Sequence, residues 1–221
     1  MDGNEKPIDI PLVPDHWRFK NKVEMSQLGI EAAREVLRGE FDSIVERKEV
    51  FEQVGGLIEA LPHVEFVAGL PLQSQYNNET LGYRTAGGKV AIDADAMVSV
   101  DHAFQTAYHE LLEELSARLG THLRSFHKFH DGIIQYFVRQ AAINHKRTYL
   151  PTAYEDIADI VEKLRDKGVA EELWKRALVN NKSTPQLIAT TNAVIHRDMG
   201  FREIDWALDE EDIEKAKDLV K

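Results

Sequence analysis

The chain has 221 residues, no cysteine and a formal net charge of −11 at pH 7, enough length for one large domain or two small ones, with a sizeable core. Without cysteine there can be no disulfide, thiolate ligand or cysteine nucleophile, so any metal would rest on His and carboxylate. The acidic balance speaks against nucleic acid as a partner, no apolar run nears the roughly 20 residues of a membrane span, and Met1-Asp2-Gly3-Asn4-Glu5-Lys6 lacks the features of a signal peptide, so the expected protein is cytoplasmic with no membrane partner.

Pro7, Pro11 and Pro14 oppose regular helix, so residues 1–16 read as irregular, within an N-terminal arm drawn over 1–21. From about Lys22 to Ala60 the pattern is helical. Ile30, Ala33, Val36 and Leu37 form one stripe, and Gly39 and Gly55-Gly56 are breaks, giving two or three helices. Residues 62–100 change character. Val64 to Ala68 is strand-like, and Leu81 to Arg84 and Lys89 to Asp93 flank Thr85-Ala86-Gly87-Gly88 as a β-hairpin.

The next helix organises the chain. Over Asp101 to Gly120, Phe104, Ala107, Tyr108, Leu111, Leu112, Leu115 and Leu119 recur at helical spacing as one apolar stripe. Asp101 is placed to cap its start and Gly120 to end it. His102, Thr106, His109, Glu113 and Ser116 share the opposite face, with Glu110 about a quarter turn round. His109 and Glu113 are one turn apart and can converge on one point, such as a metal ion; the same pair also suits a merely solvated helix face. A linker carrying His122, His127 and His130 leads to a second helix, from Phe126 or Asp131 to Asn144. Further helices are predicted over Tyr154 to Lys167, Val169 to Val179, Thr184 to Ile195 and Glu210 to Val220. Thr152, Ser183 and Asp209 are the expected caps and Gly168 a stop.

This order of elements resembles the zincin metallopeptidases, in particular the gluzincin group. His109-Glu110-Leu111-Leu112-Glu113 stands where that family has His-Glu-x-x-His. His130-Asp131-Gly132-Ile133-Ile134-Gln135-Tyr136 looks like its Asn-Glu-Gly-hydrophobic-x-Glu-Tyr run. The likeness covers about residues 62–145 with motif support, and the helical tail loosely. It implies an α+β, mostly α, zincin-like fold. A small antiparallel-containing sheet (62–100) packs on a central helix, the motif helices occupy 101–145, and a helical C-terminal half spans 150–221, all within a single domain, 22–221.

The resemblance also implies a site. His109, Glu113 and Asp131 would hold zinc or another divalent metal, and Glu110 would be the base. His130, His102 and Tyr136 are additional candidates. At the site, Glu113 replaces a His of the family pattern, Asp131 a Glu and Gln135 a Glu. Such a set favours oxygen-loving ions such as Mn²⁺, Fe²⁺ or Mg²⁺ over zinc. Two functions follow as expectations. One is a metal-dependent hydrolase acting on a peptide or protein substrate, with an atypical ligand set or as a weak, pseudo-enzyme relative. The other is a non-catalytic helical binding or assembly protein with a protein partner, in which the His-Glu face is solvated surface.

Overall fold

The computed structural model describes residues 15–42, 65–67, 82–84, 90–118, 126–179 and 184–221. The fold is mostly helical. Helix α1 spans Asp15–Asp42, and strands β1 Glu65–Val67, β2 Gly82–Arg84 and β3 Val90–Asp93 follow. Then come α2 Val100–Arg118, α3 His127–Asn144, α4 Glu155–Asp166, α5 Glu171–Val179, α6 Thr184–Val194, α7 Gly200–Asp209 and α8 Ile213–Leu219. No helix among the described residues is long and apolar enough to cross a membrane.

Helix α1 starts directly after Pro14 and earlier than the pattern from Lys22, so residues 15–21 are helical rather than part of an irregular arm. A proline just outside a helix removes no internal hydrogen bond, which lets the helix begin there. It also runs through Gly39, where a Cβ would meet no atom within 4 Å, so this glycine is not a break. The second half of the helical pattern, 43–60, lies outside the described residues, as do Gly87-Gly88, Gly120, His122 and Ser183.

The sheet has the order β1-β3-β2, with β1 parallel and β2 antiparallel to β3. Tyr83 faces Ala91 in register, and Phe66 faces Ile92. Asp93 ends β3 by accepting the Asp95 amide on its carboxylate at 3.0 Å, an Asx turn that steers the chain towards α2.

Helix α2 lies at the centre, packed on α1, α3, β2 and β3. Its stripe of Phe104, Ala107, Tyr108, Leu111, Leu112 and Leu115 is fully buried. Burial contributes roughly 1.5–3 kcal/mol for each large apolar side chain among these. The opposite face is less solvated than its polarity suggests, since Thr106, Glu110, Glu114 and Ser116 are also buried. Ser99, not Asp101, caps the helix: its hydroxyl accepts the His102 amide at 3.0 Å. Asp101 binds Arg147 and the Thr148 amide instead, each at 3.0 Å.

The C-terminal half closes the core with Phe129, Trp174 and Phe201, whose rings meet at centroid distances of 5.9 and 4.7 Å. Gly168 takes φ of +109° just after α4, the left-handed stop expected of it. Residues 200–209 add a helix that the periodicity had not separated. Asp212, rather than Asp209, caps the last helix by accepting the Lys215 amide at 3.0 Å.

Candidate functional site

The site forms where α2 meets α3 beneath the edge strand β2. His109 and Glu113 lie one turn apart on α2, with His109 Nε2 3.4 Å from Glu113 Oε1 and side-chain exposures of 14% and 22%. Asp131, just past the first turn of α3, hydrogen-bonds the Glu113 carboxyl. Glu110 points towards the sheet. A Cβ at Gly82 of β2 would sit 2.9 Å from its Cγ and 3.0 Å from its Oε1, so a larger residue there would force this side chain to shift. The four residues named from the motif, His109, Glu110, Glu113 and Asp131, are therefore electrostatic neighbours.

Their charges act on one another. Burial opposes a charge on His109, but the hydrogen bond to Glu113 and the charges of Glu113, Glu110 and Asp131 outweigh it and raise the ring to about 9. Burial, then the adjacent Glu113 charge, raises Asp131 to about 7, against the pull of His109. Burial and the neighbouring Glu113 charge thus favour the protonated form of Asp131.

The other candidates stand elsewhere. His102 accepts the Val98 amide at 3.4 Å at the start of α2, and burial lowers its pKa. His130 is buried on α3. The Tyr136 hydroxyl accepts from Arg165 at 3.0 Å, so it is engaged on the α4 side.

Residues outside the named site candidates complete the surroundings. Gln135, one turn after Asp131, places Oε1 3.3 Å from His109 Nδ1 and gives Nε2–H to the Tyr149 hydroxyl at 2.7 Å. Tyr149 donates to Glu155 Oε2. Arg139 donates to Glu155 Oε1 and Asp159 Oδ1, both at 2.7 Å, and to Glu162 Oε2 at 3.0 Å. Tyr154 stacks on the His109 ring, with centroids 5.8 Å apart and planes 18° off parallel. Burial and the charges of Asp131, Glu113 and Glu110 push its hydroxyl up to about 12. The connection between α3 and α4 delivers both tyrosines. It is strapped to α2 by Asp101 and by Gln105, which gives to the Thr148 carbonyl at 2.6 Å and accepts the Leu150 amide at 3.2 Å. One signal was available in the sequence: Gln135 shares a helix face with Asp131 at the four-residue step.

Among the described residues, no three His, Asp or Glu side chains stand as a ready metal shell. The donors of the cluster are one imidazole and three carboxylates; His109, Glu113 and Asp131 are turned towards one another through hydrogen bonds, and Glu110 lies against β2. That chemistry suits a hard divalent cation better than a zinc ion seeking two imidazoles. Comparison with protein-family models, with curated proteins and with solved structures found no match.

Proposed function

We propose that the chain is a zincin-like protein of gluzincin type with an altered site, a metal-dependent hydrolase of weak activity acting on peptide or protein substrates in the cytoplasm. One observation carries the reading: His109 and Glu113 of α2 and Asp131 of α3 gather beside Glu110, which the glycine at position 82 admits beneath the edge strand. His109, Glu113 and Asp131 would hold the ion, of the Mn²⁺, Fe²⁺ or Mg²⁺ class ahead of zinc. A bound divalent ion supplies a polarised carbonyl and a more acidic water. Glu110 accepts a proton on its carboxylate beside β2. Extra carboxylates oppose the acidification of water, which is the reason to expect slow turnover.

The test is calorimetry with Mn²⁺ and Zn²⁺ on the purified chain, followed by a peptide hydrolysis assay. Binding that His109→Ala abolishes, with slow hydrolysis lost in Glu110→Gln, would support the proposal. A chain that takes up neither ion would overturn it and favour a second reading, a non-catalytic binding or assembly protein. That alternative draws on the hydrogen bonds by which Glu113 already engages both His109 and Asp131.

A further inference from the structure

The hydrogen bonds behind His109 have only one consistent set of directions. Arg139 has donors alone, so Glu155 accepts from it at 2.7 Å. The other Glu155 oxygen takes the single proton of the Tyr149 hydroxyl. With that proton committed, the Tyr149 oxygen can only accept, and it receives Gln135 Nε2–H at 2.7 Å. The amide is thereby oriented, and its carbonyl Oε1 faces His109 Nδ1 at 3.3 Å. A carbonyl oxygen cannot donate, so Nδ1 must carry a hydrogen. Nε2, on the side of Glu113, is left as the one ring nitrogen that can give up its proton.

We infer that Arg139, Glu155, Tyr149 and Gln135 form a positioning chain that fixes the His109 tautomer, keeping the proton on Nδ1 and presenting Nε2 to the carboxylate cluster. The inference rests on the metal-site reading for its purpose, though not for its geometry. A neutral histidine in water favours the proton on Nε2, so the chain reverses the intrinsic preference of the ring. It does so from a distance: Tyr149 reaches His109 only through Gln135. Histidine ligands commonly have their second nitrogen held by such a partner, which sets ring orientation and ligand basicity. Here the partner is a neutral amide whose direction is set by an ion pair two hydrogen bonds further back. The Tyr154 ring, stacked on His109, restrains the plane in which Nε2 points.

The test uses the full chain with ¹⁵N-labelled histidine and no added metal. Long-range ¹H–¹⁵N correlation spectra are recorded across the titration of His109. The expected result is that Nδ1 stays protonated throughout while Nε2 alone loses its proton. In Tyr149→Phe the amide can turn over, and the neutral ring should shift towards the Nε2–H form. Gln135→Leu, which removes the acceptor, should do the same. A wild-type His109 carrying its neutral proton on Nε2 would overturn the inference whatever the variants do. An unchanged Nδ1–H signal in Tyr149→Phe would overturn the role of Tyr149. A calorimetric arm with Mn²⁺ then separates the two readings. Tyr149→Phe should weaken binding about 10- to 100-fold. If the wild type binds no ion, the metal reading fails while the tautomer measurement still judges the chain.

Discussion

Gly132 follows the ligand candidate Asp131 at the point where α3 crosses α4. A Cβ built there would lie 2.2 Å from Ile157 Cγ2, 2.9 Å from its Cβ and 3.3 Å from its backbone carbonyl carbon. Gly132→Ala therefore sets two opposing effects against each other. Helix propensity favours alanine by about 1 kcal/mol. Overpacking typically costs about 1–3 kcal/mol. Two features push this site to the upper part of that range. Ile157 is β-branched and helical, so it has little χ1 freedom with which to move Cγ2 away. Its backbone is close behind, so the helices themselves must separate. The expected net loss is about 1–2 kcal/mol, or a fall in Tm of roughly 2–8 °C for a chain of this size. Urea denaturation followed by circular dichroism measures it. Ile157→Ala removes the clashing methyl and by itself costs about 2–5 kcal/mol through the cavity it leaves. Adding Gly132→Ala to that variant should cost less than it does in the parent, because the 2.2 Å contact is gone while the Cβ contact at 2.9 Å remains. A single Gly132→Ala variant as stable as the parent would refute the close crossing and the placement of Asp131 that depends on it.

Asp205 is buried on α7 with Oδ1 lacking a hydrogen-bond partner, and burial, then the Asp209 charge, raises it from 3.8 to about 7. Because the folded state holds this proton more tightly, its contribution is full below about pH 4 and is lost as the pH rises to about 7. The full effect is at most about 4 kcal/mol, and screening by water near the exposed Trp206 reduces it to about 2 kcal/mol. Asp205→Asn should thus stabilise the protein at pH 8 and leave it unchanged at pH 4; equal effects at both pH values would count against the shift. Ser99→Ala removes the cap of α2 and should cost about 1 kcal/mol in urea titrations, whereas a neutral result would return the capping role to another residue. Arg139→Met leaves Glu155, Asp159 and Glu162 facing one another without their cation. A loss of about 2 kcal/mol is expected, less than for a fully buried pair because Asp159 and Glu162 reach solvent. Denaturation at lower pH, where the carboxylates take up protons, should show a smaller loss.

The parts legible in the sequence are those governed by local periodicity. The Phe104-to-Leu115 stripe is buried as its spacing predicts, and the three strands fall inside the runs Val64 to Ala68, Leu81 to Arg84 and Lys89 to Asp93. Caps were misplaced for a physical reason. Asp101 and Asp209 are acids near helix starts, and an acid suits the first turn as well as the cap, so type alone does not select Ser99 or Asp212. The buried polar face of α2 was not legible either, because one helix's pattern does not reveal that α3 and the α3–α4 connection lie across it. Of the candidate cluster, the proximity of His109, Glu110, Glu113 and Asp131 was legible through motif spacing. Tyr149 and Tyr154 arrive on an irregular connection, and no period marks them. Gln135 was visible only as a departure from a family pattern, although its contact with His109 makes it part of the site.

The connection that carries the two tyrosines is tied down in an unusual currency. Asp101 and Gln105 answer the backbone groups of Thr148 and Leu150 as a neighbouring strand would, but with side chains. Such a seam can part without breaking any hydrogen bond of the helix beneath it. Its opening is then a local event, with a free energy below that of global unfolding and a rate of its own. In native-state hydrogen exchange, the amides of Thr148 and Leu150 should answer to this local event and those of α2 to the whole molecule. The surroundings of His109 thus acquire a clock separate from the scaffold's. How often the imidazole is uncovered is set by the side-chain hydrogen bonds that hold this connection, those of Asp101, Gln105 and Gln135 among them, while the depth of the core beneath it sets how long the protein stays folded.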